Sequence, residues 1–178
     1  MILRVLSLFI VSLLASEYVS ASINYAKERR QLQQRKMGLI SKSTHKRLER
    51  ASLYLRHEKY NKAQEIYLEL LKQTENRKDE YAQIWQQLGF MLAQKGDMDK
   101  AIKALENSVE VNALPYQLTM SSLYTLAQLN LAQEKFEKSE EVMRRWFGLA
   151  EGPQAEAYIL MGSILFQQDK NRSSHGKC

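Results

Sequence analysis

The sequence predicts an all-α fold, an α-α solenoid of about three antiparallel helix pairs followed by one extra helix. Three observations point there. Small residues recur at Ala51, Gly89, Ala127 and Gly162, spaced 38, 38 and 35 residues apart. Twelve residues after each of the first three stands a second small residue, at Ala63, Ala101 and Ser139. With only seven glycines and two prolines, the chain has few of the turn residues that an all-β domain needs about every eight to twelve residues.

The paired anchors have a physical reason. Two antiparallel helices approach closely only where both present a small side chain at the crossing. Large residues follow in register: Tyr54, Leu92 and Leu165 three residues after an anchor, and Tyr60, Met98 and Phe136 three before the second small residue. Tyr67, Leu105 and Met143 come four after it. Three and four residues are one helical turn, so these side chains share a face and form the interior.

Helices are expected over about 46–57, 60–73, 81–95, 98–111, 116–133, 136–149 and 153–168. The second unit carries Trp85, Leu88 and Gly89, then the Gly96-Asp97 turn, then Ala101, the pattern of a tetratricopeptide repeat (TPR). The resemblance implies a right-handed TPR superhelix. Its usual period is roughly 34 residues. The additional residues fall between units, near Asn76–Asp79 and Leu114–Gln117, with Pro115 ending one helix and starting the next.

Four segments are expected: a signal peptide over 1–21, a basic segment over 22–43, the TPR domain over 44–169 and a polar tail over 170–178. Arg4, the apolar run Val5–Ala15 and the small residues of Val19-Ser20-Ala21 suit secretion and cleavage. An uncleaved anchor is the alternative, although the run is shorter than the roughly 20 residues that cross a bilayer. The formal charge is +6, concentrated in Arg29, Arg30, Arg35, Lys36, Lys42, Lys46 and Arg47. Such an arm suits an anionic membrane surface or an acidic partner, and equally a solvated face. No nucleic-acid motif accompanies the charge, so no nucleic-acid partner is expected. The segment over 22–43 reads as a polar helix broken near Gly38.

Catalysis and metal binding have little support. Glu65/Glu69 and Glu106/Glu110 have carboxylate spacing on a helix, but Glu/Lys-rich surfaces produce it by chance. No phosphate loop, nucleophile elbow or His-Glu-x-x-His helix occurs. Cys178, the single cysteine, and nearby His175 do not make a metal site, and the methionines suit gap-filling better than copper binding. No catalytic residue, no metal and no cofactor is expected.

The stretches Tyr81–Phe90 and Ser122–Leu129, the Arg145-Trp146-Phe147 ending and the basic lead-in Arg35–Leu48 resemble the periplasmic TPR proteins associated with TonB energy-coupling systems of Gram-negative bacteria. The resemblance spans about residues 35–168. It implies a periplasmic scaffold or adaptor beside a TonB-type envelope complex. Members of that group are longer, and the fourth unit here has a first helix without a second, which leaves Ile159, Met161, Leu165 and Phe166 without cover. A shortened version of a longer protein, a capping role for that helix or a bound partner would each account for it.

Repeats of this type bind through the concave face of their first helices. Counting one, four and five residues after each anchor, and three and six before it, gives the candidate partner-binding residues Arg56, Gln83, Gln86, Phe90, Gln94, Tyr124, Gln128 and Phe166. This amide-rich row with aromatic spots suits an extended or helical peptide. A protein or peptide partner in the cell envelope is expected.

Overall fold

The computed structural model describes residues 24–175, with side chains through residue 173. The expected signal peptide, Cys178 and the end of the polar tail lie outside the described residues. Helix α1 spans 24–34. It is followed by α2 (Lys42–Arg56), α3 (Tyr60–Thr74), α4 (Lys78–Lys95), α5 (Met98–Glu110), α6 (Tyr116–Ala132), α7 (Phe136–Leu149) and α8 (Ala155–His175). From α2 onward each helix packs on the next in chain order, as in a solenoid, and no strand occurs among the described residues. The fold is an all-α TPR superhelix.

The anchors of the first three repeats form the crossings they predict, whereas Gly162 is exposed. Ala51, Ala63, Ala101, Ala127 and Ser139 are wholly buried. At Gly89 a methyl group would stand 2.6 Å from Leu105 Cγ, so this crossing of α4 and α5 admits hydrogen alone. Around it Ile84, Leu88, Met91, Leu105 and Val109 join Leu48, Tyr67, Leu70 and Leu126 in one continuous core.

The three turns within helix pairs are built alike. Glu58, Gly96 and Glu134, spaced 38 residues apart, have φ of 55°, 89° and 56°. Each turn returns two N–H groups to the preceding helix. Glu58, Gly96 and Glu134 donate to Leu55, Ala93 and Leu131, and Lys59, Asp97 and Lys135 donate to Tyr54, Leu92 and Asn130, all at 2.9–3.0 Å. These bonds satisfy carbonyls that a helix end leaves orphaned.

Two helices start earlier than expected. Ser41 Oγ caps α2 by accepting the Thr44 N–H at 3.3 Å, which moves its start to Lys42. α4 begins at Lys78, with Asp79 and Glu80 in its first turn, where acidic groups favour the helix dipole. Glu80 is buried; it accepts from Ser41 N at 3.0 Å and Thr44 Oγ1 at 2.6 Å, and pairs with Arg77 at 3.2 Å. α8 begins at Ala155, after Gly152 turns the chain with φ 93°.

The basic segment is not a separate arm. α1 and the stretch 35–41 run backward along the row of inter-repeat loops. Tyr25 packs on Gly148, and Arg29 Nη1 donates to the Ala150 carbonyl at 3.1 Å. Glu28 pairs with Arg145 at 2.7 Å, and Leu32 is buried in the core. Arg35 donates to Leu114 O at 3.3 Å and to Asn112 Oδ1 at 3.1 Å. Gly38 lies so close to Asp79 that a Cβ would stand 2.4 Å from that residue's Cβ. The additional residues between repeats are thus where this strap docks. The break expected near Gly38 begins at Arg35, once the arginine turns to the loop carbonyl.

Candidate functional site on the first helices

The first helices of the pairs are α2, α4, α6 and α8. Side chains join them edge to edge. Thr44 of α2 reaches Glu80 of α4. Gln86 Nε2 of α4 donates to Leu118 O at 2.7 Å and Ser122 Oγ at 2.8 Å, with Ser121 Oγ at 3.2 Å, all on α6. Tyr124 of α6 donates its hydroxyl to Glu156 O of α8 at 3.4 Å.

This corrects part of the expected groove. Gln83 and Gln86 are buried, and the Gln86 amide is spent between repeats, so neither faces a partner. The positions three before an anchor face the next first helix rather than solvent. Leu48 is 8% exposed, Gln86 4%, Tyr124 half-buried, and Ile159 68% exposed, since no described helix follows α8. At the positions after an anchor, Arg56, Gln94 and Gln128 are exposed, Phe90 is half-buried, and Phe166 is 67% exposed.

Beyond the expected row, α6, α7, the loop before α8 and the start of α8 line an open pocket of about 620 Å³. Tyr116, Met120, Tyr124, Trp146, Glu151 and Glu156 are among its walls. The Tyr124 and Trp146 rings stand 5.6 Å apart at 59°, forming a corner rather than a stack. Tyr116 donates its hydroxyl to Leu149 O at 3.1 Å, which fixes its ring. Burial, and then the Glu151 carboxylate, push its phenol pKa above 10.0. Sequence reasoning found Tyr124 here but missed Tyr116, Trp146 and Glu151. They come from three elements whose nearness follows from the packing of α6, α7 and α8.

The far side of α8 is apolar and open. Tyr158, Ile159, Leu165 and Phe166 are exposed, whereas Ala157 and Ile164 on the opposite side are buried. Met161, expected to lie uncovered with them, is half-buried against the smaller cluster around Met143. A Cβ on Gly162 would meet nothing within 4 Å, unlike one on Gly89.

Among the described residues no group of three or more His, Cys, Asp or Glu side chains is placed to hold a metal ion. No described helix is long and apolar enough to cross a membrane.

Comparison with known proteins agrees with this geometry. Residues 80–151 match the tetratricopeptide repeat family model. The chain is similar in fold to the MamA RS-1 ArsTM double mutant, with TM-score 0.61 and 17% identity over 76% of this chain and 69% of that one. It is similar also to BtubC (BKLC) from P. vanneervenii, with TM-score 0.58 and 18% identity over 75% of this chain and 59% of that one. Comparison with curated proteins gives no match. Residues 80–151 are therefore tetratricopeptide repeats, and the chain has the fold of a tetratricopeptide-repeat solenoid.

Proposed function

We propose that this chain is a non-catalytic adaptor that holds a segment of a protein partner along α4, α6 and α8. The observation that carries this reading is the accessible row Phe90, Gln94, Gln128 and Phe166, aromatic and amide groups on successive first helices of one stack. Amides donate to and accept from a peptide backbone, and each aromatic ring contributes roughly 1.5–3 kcal/mol when a partner side chain buries it fully. The carboxylate pairs at catalytic spacing have other surroundings: Glu69 is engaged by Arg47, and Glu65 and Glu110 face solvent.

The setting we propose is the bacterial periplasm, beside a TonB-type energy-coupling complex. Its support is the resemblance of Tyr81–Phe90, Ser122–Leu129 and Arg145–Phe147, together with the leader-like residues 1–21. Assembly of another envelope machine, such as a pilus, a secretion apparatus or the outer membrane, is the alternative setting for the same surface. Crosslinking and capture from a bacterial envelope fraction tests both. The chain is expected to capture TonB-system proteins, and a Phe90→Ala, Gln94→Ala, Gln128→Ala variant to lose them. Capture that is identical with both would remove the row from consideration, while a different machine captured specifically would replace the TonB setting.

A second reading rests on the strap. Leu39 is 95% exposed and Met37 is exposed beside it, flanked by the exposed Lys27, Arg30, Lys36 and Lys42. Apolar side chains among cations suit an anionic lipid surface. Vesicle binding that is steeply salt-dependent and lost on Leu39→Ser with Lys36→Gln would support it.

A further inference from the structure

We infer that the pocket between α6, α7 and α8 receives an arginine side chain from the partner. The inference rests on the adaptor reading and names the chemistry its partner presents. Three aromatic residues, Tyr116, Tyr124 and Trp146, supply walls of the pocket, and two carboxylates, Glu151 and Glu156, stand at it. No Lys, Arg or His is among its lining residues, although the chain as a whole carries a net charge of +6. Aromatic faces attract a cation through their quadrupole, and the inclined Tyr124 and Trp146 rings offer two such faces to one group. A planar guanidinium stacks on such rings and donates to carboxylates in a fork, which an ammonium cannot do as well.

The surrounding charges favour the same ligand. Arg29 of α1 is the neighbouring cation; its guanidinium donates to the Ala150 carbonyl and lies near enough to Tyr116 to act on its hydroxyl. The lining itself carries two carboxylates and no cation. Glu151 and Glu156 are both exposed, so they reach a ligand without first breaking an internal ion pair. The pocket shares α6 with the first-helix row: Tyr124 of its wall stands one helical turn before Gln128.

The test is a titration followed by Trp146 emission, in the chain carrying Trp85→Phe so that a single tryptophan reports. The probes are an acetylated Gly-Arg-Gly amide, the same peptide with norleucine for arginine, and choline. Calorimetry on the chain with both tryptophans is the parallel measurement, which guards against damage by Trp85→Phe. Saturable binding of the arginine peptide is expected, with none for the norleucine peptide. Glu151→Gln with Glu156→Gln should weaken it by about threefold or more. Equal response to norleucine, or no effect of the two glutamines, would overturn the inference. Choline binding more tightly than the arginine peptide would overturn the assignment to a partner's side chain. Envelope capture that depends on Phe90, Gln94 and Gln128 but not on Glu151 and Glu156 would leave the adaptor standing and remove only the arginine pocket.

Discussion

The Ser139 hydroxyl, wholly buried, donates a 2.7 Å hydrogen bond to the carbonyl oxygen of Ala127, twelve residues earlier. The two residues are the paired small positions of the third repeat, and the bond spans the crossing of α6 and α7. In the second repeat the same place is filled by Gly89 and Ala101 without a side-chain bond. Ser139→Ala is therefore expected to cost about 1 kcal/mol, the net worth of one hydrogen bond. Gly89→Ala is expected to cost about 1–3 kcal/mol, because its methyl group would collide with Leu105. In a Leu105→Ala background the Gly89→Ala cost should shrink, since the colliding atoms are gone. Urea denaturation of the four variants measures each term. A Gly89→Ala cost unchanged by Leu105→Ala would mean that the clash is not its origin.

The left-handed turn residues predict a gain. Glu58 and Glu134 adopt φ near +55°, the conformation that Gly96 takes at the equivalent place. A side chain there costs roughly 1–2 kcal/mol, which glycine avoids. Glu134→Gly should raise stability by about 0.5–1 kcal/mol, and Gly96→Glu should lower it by about 1 kcal/mol. Thermal melts monitored by helical ellipticity give both signs directly.

The strap is expected to be integral to the fold. Leu32→Ala removes a buried side chain and should cost about 2–4 kcal/mol. Glu80→Ala leaves Ser41 N and Thr44 Oγ1 without their acceptor and should cost about 2–3 kcal/mol. Limited proteolysis checks both: each variant should be cut faster within 24–41 while the core around Gly89 stays protected. Cleavage at the wild-type rate would show that the segment is not held by these contacts.

The docking of α8 should depend on pH. Glu140 accepts from Arg144 and, at 3.0 Å, from Gln168 of α8. The Arg144 hydrogen bond, against an opposing effect of burial, holds the Glu140 carboxyl below its ordinary 4.5. A depressed folded-state pKa means that this contribution is fully present above about 4.5 and is lost as pH falls through the lower folded value. Amide exchange in α8 should accelerate in that range. Glu140→Gln should already exchange faster at pH 7 and show a flatter acid response; an identical acid response would sink the assignment to Glu140.

The open face of α8 should bind a hydrophobic dye. Ile159→Ser with Phe166→Ser removes two large exposed side chains that support no core. Dye fluorescence is expected to fall while the melting temperature moves little, within about 0.5 kcal/mol in stability. A large loss of stability would mean that these residues are covered in solution.

The all-α class, the repeat period and the crossings at Ala51, Gly89 and Ala127 follow from the sequence alone. Small residues at a fixed offset and large ones a turn away are local facts, and helix periodicity turns them directly into faces. The accessible part of the candidate row, Arg56, Phe90, Gln94, Gln128 and Phe166, was legible for the same reason. The rest was not. Gln83 and Gln86 have the composition of a groove yet lie in the seam between α4 and α6, because the stacking angle of neighbouring repeats decides which flank of a first helix sees solvent. The course of the strap from Tyr25 at Gly148 to Ser41 at Glu80, and the meeting of Tyr116, Trp146 and Glu151 at one pocket, required the tertiary structure. Those contacts join residues tens of positions apart through loops, where no periodic pattern records the partner.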